Sequence, residues 1–421
     1  MPPFPQPPSH EGGDFVINPW QRIFVPFAVG YFLSYLLRNA NAVISPELRQ
    51  DLGLSAADLG LLTSAYLLIF GAFQLPLGIL LDRYGPRRVE AVLLLFCAAG
   101  CALFASGVAL PQLVIGRALI GLGVSACLMA SFKAFSLWFP VERQASLNAA
   151  IMAAGGLGAL TASSPLGALL PLFGWRGIFY ALAILSLLAA TLIFTTPEKI
   201  TGGARESLRQ QLGGLATIFT SRAFWRLAPQ TTMIVGGFMA LQGLWAVPWL
   251  MTVNGATRDA AAFHLLLMAG AQLTGFLTIA FFVTRLARAG LPPARLLTLG
   301  MGGGLLAMLG IVLDLAPTWL LWPALGLVFS VGNLAYALLT AQFPITLAGR
   351  ANTALNLGAF IGAFGIQWLF GVAVDALQSG GFAPQAAYRV SLAGLLVLQT
   401  LGWLWFVRDS RRGSPNHKVV S

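Results

Sequence analysis

The chain has 421 residues, 57% of them hydrophobic and only 9% charged, with a mean hydropathy of +0.79. Soluble domains carry roughly 25% charged residues, so the composition excludes a water-soluble globular protein and makes lipid the solvent for most of the chain. The net charge of +11 does not signal nucleic acid, because the basic residues are sorted by side. With twelve apolar spans threaded and the N-terminus inside, eighteen of the 25 Lys and Arg fall on the inner face, four outside and three within spans. That asymmetry places both termini in the cytoplasm of a multi-pass protein in the cell inner membrane.

In chain order, residues 1–18 read as a proline-rich, disordered cytoplasmic tail, and no cleavable signal peptide precedes the first span. Residues 19–197 form a first six-helix unit, with spans at 21–44, 57–81, 89–109, 112–138, 146–171 and 175–196, each long enough to cross a bilayer as a helix. In the first span Tyr31, Ser34, Tyr35, Arg38 and Asn41 recur at helical spacing amid Phe, Leu and Val. Such a stripe belongs on a central cavity. The second span carries Gln74 and ends in the loop Gly78-Ile-Leu-Leu-Asp82-Arg83-Tyr-Gly85-Pro-Arg87-Arg88. Gly78 offers a place for close helix approach, and Asp82 can face the N-terminus of the eleventh span, near Ala351. Arg83, Arg87 and Arg88 can pair with Glu142 or anionic lipid, next to Arg143.

Cys97, Cys101 and Cys127 lie within spans and suggest packing rather than a disulfide framework. The fourth span holds Arg117, followed by Gly121 and Gly123, and Lys133 about five residues from its inner end. Lys133 either snorkels to the headgroups or meets substrate, and Arg117 suits a structural or gate role. The fifth span is rich in Gly155, Gly156, Gly158, Pro165 and Gly167. All 14 acidic residues map to tails, loops or span ends. Arg38, Arg117 and Lys133 are thus expected to lack a mid-membrane carboxylate. A buried charge costs about 2.5–3.5 kcal/mol on insertion scales, so an unpaired cation calls for an anion from elsewhere.

Residues 198–224 form a cytoplasmic linker, where Ser207–Phe219 reads as an amphipathic surface helix. Residues 225–408 form a second six-helix unit with spans at 226–249, 260–284, 293–314, 317–342, 352–376 and 386–407, and 409–421 is a cytoplasmic tail. Two echoes support the division. Trp20-Gln21-Arg22 with Pro26 is repeated by Trp225-Arg226 with Pro229. Phe139-Pro140, Arg143 and Leu147-Asn148 are repeated by Phe343-Pro344, Arg350 and Leu355-Asn356. Both lie about half a chain apart. Phe238, Gln242, Trp245 and Trp249 form a stripe on the seventh span; Asn333, Tyr336 and Thr340 do so on the tenth, and Asn356 with Gln367 on the eleventh. Aromatics with a few amides suit an organic substrate. His264 and Met268 sit one turn apart on the eighth span, a pair that can hold a soft metal ion, with ordinary packing the favoured reading.

The loop pattern Gly-x-x-x-Asp-Arg-x-Gly-x-Arg-Arg after the second span resembles the signature loop of the major facilitator superfamily. Gly116-Arg117 through Gly121 and Gly123 is similar to its fourth-span motif. The corresponding loop of the second half, Thr284–Arg295, lacks the Asp. The resemblance implies an all-α membrane protein of twelve helices in two bundles, a central substrate site, and alternating access in which Gly78, Asp82, Arg83, Gly85, Arg87, Arg88, Arg117, Glu142 and Arg143 form the gating set.

Tyr31-x-x-x-Tyr35-x-x-Arg38, with Gln74 eight residues before Asp82, is similar to the organophosphate:phosphate antiporters, which implies first-span contacts to an anion. Gln74 stands where that branch has Lys, and the matching seventh-span Arg is missing. One guanidinium fork fits a carboxylate or other monoanion better than a dianionic phosphate ester.

The resulting expectation is a secondary transporter of a small organic anion, not an enzyme. The expected substrate contacts are Arg38, Tyr31, Tyr35, Asn41, Gln74, Lys133, Gln242, Trp245, Asn333, Tyr336 and Asn356. No cofactor and no metal site is called for. A metal importer using His264 and Met268, or a ligand sensor without flux, are the alternatives. The expected partners are a small-molecule substrate and the bilayer, with no nucleic acid and a monomeric state. The lack of a mid-membrane carboxylate argues against a proton-relay symporter and for exchange or facilitated movement.

Overall fold

The computed structural model describes residues 20–197 and 216–412. The N-terminal tail expected to be disordered, most of the C-terminal tail, and most of the linker with the greater part of its expected surface helix lie outside the described residues. The described chain is helical, with no strand. Its helices are α1 (Trp20–Leu52), α2 (Ala56–Tyr84), α3 (Pro86–Ala105), α4 (Leu110–Trp138), α5 (Val141–Thr161), α6 (Ser164–Phe194), α7 (Arg222–Val253), α8 (Arg258–Arg288), α9 (Pro293–Leu313), α10 (Thr318–Thr340), α11 (Ile345–Ser379) and α12 (Pro384–Arg412).

Eleven of the described helices contain stretches long and apolar enough to cross a membrane. The remaining pass is in two pieces: α5 and residues 164–173 of α6. Gly174, with φ 62° and ψ 168°, reverses the chain there and begins the sixth pass. Only glycine enters that backbone region without strain. The expected twelfth pass rests on this two-piece segment.

Local chemistry explains the boundaries. Ser55 and Asp58 form a reciprocal capping box that starts α2. Gly85, at φ 81°, ends α2, and Pro86 opens α3, so the motif loop is a reversal of one residue. Several passes are not uniform rods. α4 breaks at Ser125–Ala126, α10 passes through a 3₁₀ turn at Ser330–Asn333, and α7 contains wide turns at Thr231–Val235 and Leu241–Trp245. Such interruptions cluster at functional places.

Small residues set the close contacts. A Cβ on Gly121 would overlap the backbone of Tyr66, one on Gly123 that of Cys97, and one on Gly158 that of Phe32. Across the halves, a Cβ on Gly60 would come within 2.7 Å of the Gln367 carbonyl. Gly78 does not play the part expected of it: a Cβ there would meet nothing within 4 Å. The close approach of α2 to α11 runs through Gly60 and Gly71 instead.

The halves are bonded at the end that the charge asymmetry assigns to the outside. Asp375 of α11 accepts the amide N–H groups of Ala56 (3.1 Å) and Ala57 (2.7 Å) at the start of α2, where the helix dipole favours a negative charge. Arg258 of α8 pairs with Glu47 of α1. At the opposite end lies Arg87, expected to meet Glu142 or lipid. It donates to the carbonyl of Thr196 at 3.1 Å, just past the end of α6, and lies over the Phe194 ring. Arg83 lies over Tyr84. The side chains of Asp82, Glu142 and Arg143 fall outside the described residues.

Candidate functional site

Arg38 lies just past the middle of α1, where the two halves meet. Its guanidinium is 4.7 Å from the ring centroid of Tyr35, 4.8 Å from Phe70 of α2 and 5.6 Å from Phe360 of α11. The last two rings are themselves 4.7 Å apart. Aromatic faces attract a cation without neutralising it. The Tyr66 hydroxyl lies beside the guanidinium and donates to the Ser34 carbonyl at 3.3 Å. Among the described residues no carboxylate is within ion-pair distance of Arg38, and its Nε is buried without a partner. Arg38 therefore retains an unmatched positive charge in an aromatic cage contributed by both halves.

Tyr31 and Tyr35 extend the site along α1, with ring centroids 5.1 Å apart. The bare face of Gly155 makes room for them: a Cβ there would sit 2.5 Å from the Tyr31 ring and 3.1 Å from that of Tyr35. Tyr336 of α10 is within electrostatic reach of Tyr35, and its hydroxyl donates to Asn356 Oδ1 at 3.1 Å. One turn along, Thr340 donates to Asn352 at 2.7 Å. The structure thus brings together Arg38, Tyr31 and Tyr35 from the first half with Tyr336 and Asn356 from the second. Asn333 is exposed on the same stripe of α10.

Other expected contacts are used elsewhere. Asn41 is fully buried and donates to Thr63 Oγ1 at 3.0 Å, joining α1 to α2. Trp245 is also fully buried; it donates to the Gln367 carbonyl at 3.0 Å and packs on Phe370 and Tyr388. The amide of Gln74 donates to the Ser125 carbonyl at 2.9 Å and ties α2 to the break in α4. Gln242 donates to Gln272 of α8 at 3.1 Å. Interhelical amide bonding accounts for all of these without a ligand. Lys133 is half-buried on α4.

Arg117 is fully buried, donates to the Leu37 carbonyl at 3.1 Å and lies 4.9 Å from the Tyr66 ring. It anchors α4 to α1 one residue before Arg38. The two nitrogens of His264 are committed to the Ala260 carbonyl (2.7 Å) and Thr318 Oγ1 (2.9 Å), and Met268 is buried. Among the described residues no group of three His, Cys, Asp or Glu side chains could hold a metal ion.

Tyr66 and Phe70 had a signal in the sequence, since with Gln74 they recur every four residues along α2. Phe360, Gln272 and Asn352 had none. The main correction concerns Glu90. It lies at the edge of the third span by sequence, yet the structure buries it completely, with neither carboxyl oxygen hydrogen-bonded. Its Oε1 fills the space beside Gly30, so that a Cβ on Gly30 would overlap it. Gly30 is ten residues inside α1. A buried carboxyl in the first half is therefore present, contrary to the expectation drawn from sequence.

The comparisons with known proteins agree with this architecture. Residues 27–366 match the family model described as Major Facilitator Superfamily. A protein named as a probable L-galactonate transporter of Escherichia coli strain K12 is 26% identical over 223 residues, 52% of this chain and 49% of that one. The chain spans about half or less of the length of the first curated relatives it matches. A chloramphenicol resistance protein of Streptomyces lividans is 29% identical over 79% of this chain and 88% of its own length. A crystal structure of a bacterial homologue of the human lysosomal transporter Spinster, inward-facing and unoccupied, superposes with a TM-score of 0.75 at 16% identity, covering 94% of this chain and 98% of that one. The helix order, the signature loop and the matched span lead to one conclusion: this chain belongs to the Major Facilitator Superfamily.

Proposed function

We propose that the protein carries a small organic anion, a carboxylate rather than a phosphate ester, through the cytoplasmic membrane by alternating access, with Arg38 as the anion anchor. The observation that carries this reading is the unmatched guanidinium of Arg38 between the halves, caged by Tyr35, Phe70 and Phe360. A carboxylate reaching it completes a charge-assisted, two-pronged contact, and Tyr336 with Asn356 offers hydroxyl and amide groups to the substrate body. The relative named as a probable L-galactonate transporter supports the same class of substrate.

In this reading residues 19–197 and 225–408 are two units that rock against each other around the site. Both termini are cytoplasmic, and the bonds of Asp375 and Glu47 close the outer end. The test is a thermal-shift screen of purified protein against sugar acids, short carboxylates, sulfonates and phosphates, followed by counterflow with each hit. Arg38→Lys should lower the apparent affinity about tenfold or more by losing the planar fork, and Arg38→Ala should abolish the shift. Variants that insert normally and transport at the wild-type rate would refute the anchor.

The long match to the chloramphenicol resistance protein favours a second reading, export of an uncharged aromatic compound held by the same rings. Protection of cells from chloramphenicol that survives Arg38→Ala would select it.

A further inference from the structure

We infer that Glu90 is a proton-binding site that couples proton movement to passage of the anion held at Arg38. This rests on the proposed function for its anion, but not for the proton site itself. Four elements enclose the carboxyl: its own helix α3, Gly30 of α1, Ile193 of α6 and Cys127 of α4. Glu90 has no partner for either oxygen, and an ionised carboxylate left so is costly by several kcal/mol. The pocket therefore accommodates the uncharged acid, whereas a structural carboxylate would be ion-paired or would cap a helix, as Asp375 does.

The charged and titratable groups around the pocket are few. α4 contributes the Cys127 thiol, a weak donor that lies beside the carboxyl. α1 contributes Tyr31, itself near Cys127. α6 contributes the apolar Ile193. On α3 itself Cys97 meets Ser186 at 3.4 Å, and Arg87 donates to the Thr196 carbonyl. Glu90, Cys127, Tyr31, Tyr35 and Arg38 thus follow one another within electrostatic reach through the first half, with the Tyr31 hydroxyl turned to Met152 Sδ. Gly30 precedes Arg38 by eight residues, about 12 Å along a helix. That separation is short enough for an anion at Arg38 to influence the proton through the repacking of Tyr31 and Tyr35.

The cycle balances. The Glu90 carboxylate gains a proton on one side, forming an O–H bond; the monoanion binds at Arg38; and both are released on the other side with no net charge moved. A pH difference of one unit can then sustain about tenfold accumulation of a monoanion.

Two measurements test this. In infrared difference spectra of the purified full chain between mildly acidic and mildly alkaline buffer, the carbonyl stretch of a protonated carboxyl should disappear on deprotonation, and Glu90→Gln should lack that component. A spectrum identical in wild type and Glu90→Gln overturns the proton site, whatever the substrate is. In proteoliposomes with L-galactonate as probe, wild type should accumulate it about tenfold per pH unit when the lumen is alkaline. Glu90→Gln should equilibrate the probe and retain counterflow without accumulating it. Accumulation by Glu90→Gln at the wild-type ratio overturns the coupling.

Gly30→Ala, which keeps the carboxyl but crowds it, should move the pH midpoint of the infrared signal; an unmoved midpoint counts against the pocket. The two readings fail separately. Transport unaffected in Arg38→Ala sinks the anchor and leaves the infrared result standing.

Discussion

At the scale of single residues, the same side-chain type takes opposite roles according to what already surrounds it. Arg117, with Nε and Nη2 buried and unpartnered, is held by groups of the first half, the Leu37 carbonyl and the Tyr66 ring, and so serves packing within that half. Arg38, 79 positions earlier, is caged by rings of both halves, and so lies where a ligand between them can reach it. In Trp245 and Asn41, on stripes that read as binding faces, the donor groups are taken up by neighbouring helices. Trp245→Phe keeps the packing on Phe370 and Tyr388 and loses only the bond to the Gln367 carbonyl. It should lower stability by about 1 kcal/mol and leave substrate affinity unchanged, checked by melting temperature and binding on the same preparation. Phe360→Ala removes the second half's contribution to the Arg38 cage. Because the ring packs across the halves on Phe70, Gly71 and Arg38, the variant should open more readily toward the outside, read as faster labelling of a cysteine placed on α2 at that end.

At the scale of helices, the packing depends on where the missing Cβ atoms are. α4 lies on α2 and α3 only because Gly121 and Gly123 meet backbone rather than side chains. Backbone cannot rotate aside, so Gly121→Val should cost about 1–3 kcal/mol and disturb Tyr66 beside the anion site. Gly78→Ala, in open space, should leave the melting temperature unchanged. Differential scanning fluorimetry on the two variants separates the cases. The fifth pass follows the same logic. Its glycines are spaced irregularly in sequence because they answer particular neighbours, Gly155 the tyrosine rings and Gly158 the Phe32 carbonyl.

At the scale of the whole molecule, the halves are joined at one end by a carboxylate on a helix N-terminus and a cross-half ion pair. Both bonds must break when that end opens. Asp375→Asn keeps the shape but weakens two charge-assisted bonds, each worth about 1.5–3 kcal/mol when intact. It should shift the population toward the outward-open form, seen as longer distances between spin labels on α2 and α11 at that end, with the melting temperature lowered only slightly. The Asp375 contact occupies, at the opposite end of the bundle, the place that the sequence suggested for Asp82 and α11.

What the sequence determined by itself was everything governed by solvent and chain-local chemistry. Apolar length set the passes, sorted Lys and Arg set the expected orientation, and Gly85-Pro86 set the tight reversal in the signature loop. Even Arg38 was legible, because a charged residue on an otherwise apolar helix must face something other than lipid. Only the tertiary structure decided which polar groups were already satisfied. Asn41, Gln74 and Trp245 have the right type and spacing for a site, but their partners come from helices distant in sequence. Depth was decided in the same way. Glu90 stands at the edge of its own span, yet the side chain is enclosed by α1, α4 and α6, and burial is set by neighbours in space rather than by position along a helix.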